Sequence, residues 1–304
     1  MWWARLPGQA LPGRSRIENS TVLPSIIFDT SGINRLEDSG AASAPLMRGL
    51  TCGYDVILTA TSLGELVATP TPQRREALLR RCDWLLHSAK CLCPPNEILR
   101  RLISAHLRDE SRLQWFNVDV RARDYEAAIP RRIFDDAACV QQKRQHFQFE
   151  KSFRQFWKRL RPKLDEILAR DPSKRPKNYR EAVAIAVRDG GALWDIGQGI
   201  YRHVSRKKPT EADVRSFMDA CPPFRAACYG LVMAWYNFSL RPQEDTTPPA
   251  GRNDLMTAAY LPYCGRFVSD DWPQRRDLSE VAIEAGLSCE ILSFEAFHRS
   301  LAIA

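Results

Sequence analysis

Four acidic residues stand where a carboxylate can do chemistry. Asp29 directly follows the apolar run Ile26-Ile27-Phe28, and Asp271 lies just past Phe267-Val268. Glu65 comes shortly after Val56-Ile57-Leu58, and Asp254 opens a segment of small and apolar residues. In an open parallel sheet, ligands sit beyond the carboxyl ends of the strands, so Asp29 and Asp271 would be aimed at one crevice. Glu65 and Asp254 would enter it from the first turns of helices. Carboxylates gathered in one place repel unless protons or cations neutralise them, and an all-oxygen set suits Mg²⁺ or Mn²⁺ better than zinc. A negatively charged substrate would complete the metal's coordination. Asp270 is a second candidate for the fourth acid, because one residue of register at a strand end turns the side chain to the other face.

Competing chemistries find less support. His87, His106, His146, His203 and His298 are scattered, with no i, i+4 pair and no neighbouring cysteine set, which argues against a zinc site or a Ser-His-Asp site. Asp195-Ile196-Gly197-Gln198-Gly199 lacks the preceding strand and the third glycine of a dinucleotide loop. The nine cysteines are odd in number and contain no C-x-x-C pair, which reads as reduced, buried thiols in a cytoplasmic protein.

The elements that must position the acids follow from periodicity. Strands are expected at Ile26 to Phe28, Asp55 to Thr59, Lys90 to Cys93, Arg266 to Val268 and Cys289 to Ser293. Helices are expected between them: one capped by Ser62 with Glu65 in its first turn, one from Thr71 to Leu86, one from Asp254 to Leu261, and one from Leu278 to Ala285. Alternation of strand and helix predicts a parallel sheet, here assembled from both ends of the chain. After Pro94 and Pro95 the texture changes to helical periodicity without β-runs. The clearest stripe is Phe149, Phe153, Phe156, Trp157, Leu160, Leu164 and Ile167, in a helix from Gln148 to Leu168 that Pro162 is expected to interrupt. Thr210 with Asp213 forms a capping-box-like helix start, and the apolar stretch Phe224 to Leu240 reads as a buried helix, too short and too polar to span a bilayer. The expected organisation is a loose leader over 1–24, a sheet-forming segment over 25–95, an all-helical insertion over 96–250 with an exit linker from Gln243 to Gly251, and a second sheet-forming segment over 251–304.

At this level the motifs resemble those of PIN-domain nucleases. Ile26-Ile27-Phe28-Asp29-Thr30-Ser31 resembles the family's first motif and Ser62-Leu63-Gly64-Glu65-Leu66 its second. Asn253-Asp254-Leu255-Met256-Thr257-Ala258-Ala259 is similar to the third, an acid opening a small-residue helix. Phe267-Val268-Ser269-Asp270-Asp271 resembles the hydrophobic strand followed by Thr-x-Asp. The likeness covers Ser25 to Pro95 and Arg252 to Phe297, and each motif alone is short; their order and the elements between them carry it. It implies an α/β, PIN-like parallel sheet flanked by helices and interrupted by the insertion, with a metal site of Asp29, Glu65, Asp254 and Asp271. The implied reaction is phosphodiester hydrolysis by metal-activated water, with Asp29 and Asp254 as principal ligands and RNA as substrate by family analogy. Alignment of the fourth motif favours Asp271 over Asp270. Ser31 stands where Asn is commoner and Ser269 where Thr is usual, and both keep a small polar group; the insertion has no counterpart in the small members.

A formal net charge of +8 favours polyanionic partners. Between Lys143 and Arg180 the cations Lys151, Arg154, Lys158, Arg159, Arg161, Lys163, Lys174, Arg175 and Lys177 are interleaved with aromatics, a mixture suited to tracking phosphates. The plainer alternative is an aromatic core face with a solvated cationic face. The expected partners are RNA, a protein inhibitor or other protein docked through the insertion, and a second copy of the chain, with no membrane. A Mg²⁺- or Mn²⁺-dependent endoribonuclease is the leading expectation, acting as a toxin held by an antitoxin or as a processing or defence nuclease. The rivals are a silent PIN-like scaffold that binds RNA or protein without cutting, and a DNA-directed nuclease.

Overall fold

Five short apolar runs pair side by side. They are β1 (Ser25–Phe28), β2 (Asp55–Thr59), β3 (Lys90–Leu92), β4 (Arg266–Val268) and β5 (Glu290–Leu292), and every pairing is parallel. The spatial order is β3-β2-β1-β4-β5, with Ile27 opposite both Ile57 and Phe267. Helices cover both faces, so the inner strands have no polar face. Ile26, Ile27, Phe28, Ile57, Leu58, Phe267 and Val268 are all fully buried. In this computed structural model the described residues are 23–302 apart from 40–42, 88, 109–112, 132–135, 172–173, 189, 206–208 and 243–247. Most of the expected leader and the centre of the expected exit linker therefore lie outside them.

The helices in chain order are α1 (Thr30–Asp38), α2 (Ser43–Gly53), α3 (Ala60–Val67), α4 (Pro72–Leu86), α5 (Pro95–Arg108), α6 (Arg123–Arg131) and α7 (Asp136–Ala169). They continue with α8 (Tyr179–Ala186), α9 (Ala192–Ser205), α10 (Glu211–Ala220), α11 (Pro222–Trp235), α12 (Arg252–Met256), α13 (Trp272–Glu284) and α14 (Phe294–Ala302). Between β3 and β4 the described residues contain no strand, only an isolated bridge from Arg121 back to Leu92. These helices share one continuous hydrophobic core with the sheet. No helix among the described residues is long and apolar enough to cross a membrane.

Chain order explains where a ligand would sit. From the central strand β1 the chain moves outward to β2 and β3, then returns to the other side of β1 for β4 and β5. The direction of winding reverses between β1 and β4, and a crevice opens at the carboxyl ends of two such strands because their connections leave to opposite sides. Asp29 follows β1, and Ser269 to Asp271 follow β4.

Several local expectations need correction. Thr59, not Ser62, caps α3: its hydroxyl accepts the Ser62 N–H at 3.1 Å, so the helix starts earlier and Glu65 lies beyond its first turn. Pro162 does not end α7, which runs unbroken over 34 residues. The helix expected from Asp254 to Leu261 starts at Arg252 and ends at Met256, and a 3₁₀ segment (Thr257–Tyr263) containing Pro262 continues it. The aromatic stripe divides: Phe153, Trp157, Leu160 and Leu164 pack on the core, whereas Phe149, Phe156 and Ile167 are exposed. Asp195 to Gly199 lies inside α9, where Gly197 admits Val214 and Met218. The capping box at Thr210 and Asp213 is present in the structure.

Candidate functional site

Asp29 is built into the junction of β1 and β4. Its backbone N–H donates to Val268 O at 3.0 Å, continuing the ladder one residue past β1. The chain turns there into α1, and the Asp29 carboxylate caps that helix by accepting the Gly32 N–H at 2.7 Å. Ser31 Oγ donates to the same carboxylate at 2.8 Å, and Ser269 Oγ approaches its other oxygen at 2.8 Å. Ser31 also accepts the Asp270 N–H at 2.6 Å, so Ser31 and Ser269 tie the ends of β1 and β4 together. Burial pushes the Asp29 carboxyl up to about 6, against the opposing pull of the Gly32, Ser269 and Ser31 donors, with repulsion from Glu65 adding to the rise.

Glu65 reaches toward the same edge from α3. The Thr30 hydroxyl donates to Oε2, and Asn253 Nδ2 donates to Oε1 at 3.0 Å. Each carboxylate oxygen is thus held by a neighbour of another acid: Thr30 next to Asp29, Asn253 next to Asp254. On α12, Asp254 Oδ2 accepts the Gly251 N–H at 2.7 Å, which fixes the first turn. Burial pushes the Asp254 carboxyl up to about 7; the Gly251 bond lowers it, and the charges of Glu65, Asp271 and Asp29 raise it further. The Asp254 carboxyl therefore feels the three other acids.

Asp271 and Asp270 separate clearly. Asp271 caps α13 by accepting the Gln274 N–H at 2.9 Å, and it lines a cleft shared with Glu65 and Asp254. Asp270 points the other way, paired with Arg35 at 2.9 Å and accepting the Phe294 N–H at 3.0 Å. Adjacent residues past a strand end face opposite sides, and here the outward one is committed to an ion pair.

Other residues in this region carry no motif signal. The cleft has a volume of about 530 Å³, and its far wall is α7, which contributes His146, Phe147, Glu150 and Arg154. Glu150 accepts the Arg252 N–H at 2.7 Å and pairs with Arg154, so a carboxylate of α7 braces the start of α12. Because α7 begins at Asp136 rather than Gln148, His146, Glu150 and Arg154 share one helix face; that this face turns toward the acids depends on packing far along the chain. Gly64 makes room for α7, since a Cβ there would stand 2.8 Å from Gln142 Nε2. Beneath α12, Gly230 of α11 allows the backbones to touch: a Cβ there would come within 2.6 Å of Leu255 O.

Among the described residues, no three His, Cys, Asp or Glu side chains are drawn together tightly enough to form a ready metal cage. Each of the four acids is instead turned to its own donor, as expected for like charges that must be kept apart. Mg²⁺ fits such a set, because it keeps several waters and is usually held by one or two carboxylates plus substrate phosphates rather than by an all-protein cage. Comparison with protein-family models, with curated proteins and with solved structures returned no match.

Proposed function

We propose that the chain is a PIN-like, Mg²⁺- or Mn²⁺-dependent nuclease that hydrolyses phosphodiester bonds in RNA. The observation that supports this reading is the environment of Asp254, which feels the charges of Glu65, Asp271 and Asp29 and lines one cleft with Glu65 and Asp271. The four acids come from four separate segments. Buried carboxylates held up to about 6 and about 7 have too little compensating charge around them, which is the condition a hard divalent cation relieves.

Asp29 and Asp254 would hold the ion, being the two acids whose charge is least solvated. Glu65, fixed by Thr30 and Asn253, and Asp271, fixed by the start of α13, would orient waters and complete the negative field. A bound divalent cation supplies Lewis acidity at the scissile phosphate and lowers the pKa of a coordinated water. The protein's own contribution is to keep the Asp29 and Asp254 carboxylates immobile through the Gly32, Ser31, Ser269 and Gly251 donors, so little reorganisation is needed during reaction. The net charge of +8 favours a polyanionic substrate despite the acidic site.

The engagement of each of the four acids by protein donors favours a second reading, a PIN-like scaffold that binds nucleic acid without cutting. One experiment separates the two. Single-stranded RNA and DNA of the same sequence are incubated with the protein in Mg²⁺, Mn²⁺ or EDTA, and both cutting and retention are measured. RNA cleavage abolished by EDTA supports the nuclease; retention without cleavage in any metal supports the scaffold; metal-dependent cleavage confined to DNA changes the substrate.

A further inference from the structure

The wall that α7 gives to the cleft carries one exposed aromatic ring. Phe147 is 68% exposed and is not among the side chains packed on the core, although Phe153 and Trp157 of the same helix are. Exposed rings occur elsewhere on the surface, but this one lines the cleft that holds Glu65, Asp254 and Asp271, where a bound strand would meet it. Its surroundings are not an apolar patch. Glu150 and Arg154 lie one and two turns further along α7 on the same side, and the other wall is acidic. A single ring beside a cation in a polar cleft suits a planar, partly charged ligand better than an apolar protein surface.

Resting on the nuclease reading above, we propose that Phe147 is a specificity-determining residue. Its ring is the stacking platform for an unpaired base of the strand being cut, and Arg154 holds a neighbouring phosphate. In the free protein Arg154 is paired with Glu150, while Glu150 also accepts the Arg252 N–H at 2.7 Å. An incoming phosphate competes for the guanidinium, and Glu150 keeps its backbone donor, so the exchange leaves no carboxylate stranded. A base inside a duplex already has both faces covered and cannot use the ring. Purines present the larger face, so the platform favours adenine over uracil.

The test measures dissociation constants by fluorescence anisotropy for labelled oligoadenylate and oligouridylate dodecamers and for their duplex. It is done with Mg²⁺ in an Asp29→Asn background that keeps the strands intact. Phe147→Ala should weaken oligoadenylate binding by about five- to a hundredfold, with a smaller loss for oligouridylate and none for the duplex. Phe147→Trp should restore it. Phe116→Ala removes a ring that is 65% exposed but away from the cleft, and should change nothing. Arg154→Ala should lower the salt slope of binding by about one for every oligonucleotide. Unchanged binding in Phe147→Ala, with a parent that binds, overturns the platform and leaves the nuclease reading intact. Equal losses for single strands and duplex also overturn it. A parent that binds nothing, together with a wild type that cuts nothing, removes both.

Discussion

Replacing Asp254 by Asn should make the metal-free protein more stable at pH 8, although the residue belongs to the proposed site. An ordinary Asp carboxyl titrates near 3.8, and burial raises this one to about 7. The unfolded chain releases the proton near pH 4, while the folded protein holds it until near pH 7. Between those values the folded state binds more protons, so stability falls as pH rises through the window. At about 1.4 kcal/mol for each tenfold change in acidity, the charged form costs up to about 4 kcal/mol above pH 7 and nothing below pH 4. Asparagine keeps an oxygen to accept the Gly251 N–H and carries no charge. Chemical denaturation in EDTA should therefore find Asp254→Asn more stable than wild type at pH 8 by about 2–4 kcal/mol, with the difference gone near pH 4. Adding Mg²⁺ should narrow the gap by stabilising only the wild type. An equally stable or weaker variant at pH 8, or a gain that does not change with pH, would refute the reasoning that an uncompensated buried charge sits at Asp254.

Other perturbations probe the supports of the site. Gly230→Ala places a methyl group against Leu255 O and should cost about 1–3 kcal/mol in denaturation while lowering turnover, because α12 must shift. Ser269→Ala removes a donor that holds the Asp29 carboxyl down, so the acid limb of a pH–rate profile, expected between about 6 and 7, should move to higher pH. Glu150→Gln leaves an acceptor for the Arg252 N–H but frees Arg154, and should change the salt dependence of substrate binding more than kcat.

The sheet was readable because parallel strands covered on both faces leave short, continuous apolar runs. Ile26-Ile27-Phe28 and Phe267-Val268 are such runs, and Asp29 and Asp271 advertise themselves as the caps that follow. The strand order, with β4 beside β1, is a long-range pairing that local periodicity does not encode. Glu65 was assigned to a first turn because Ser62 is a good capping residue; Thr59, buried at the end of β2, takes the role because the strand leads straight into the helix. The periodicity of α7 holds for Phe153, Trp157, Leu160 and Leu164, but Phe149 stands one turn before Phe153 and Phe156 next to Trp157, so spacing does not separate these exposed rings from the core ones, and the turns before Gln148 that line the cleft lie outside the expected helix. Thr30 and Asn253 were visible only as neighbours of acids, and their grip on Glu65 emerges when segments 188 residues apart meet.

The most direct measurement is cleavage of mixed single-stranded RNA in Mg²⁺ and Mn²⁺ by wild type and by the Asp29→Asn and Asp254→Asn variants, each shown to be folded by circular dichroism. Cutting by the wild type that EDTA abolishes and that both variants lose is the result expected if these carboxylates form one metal site. Cutting that survives both substitutions, or a folded wild type that cuts in neither metal, would contradict it.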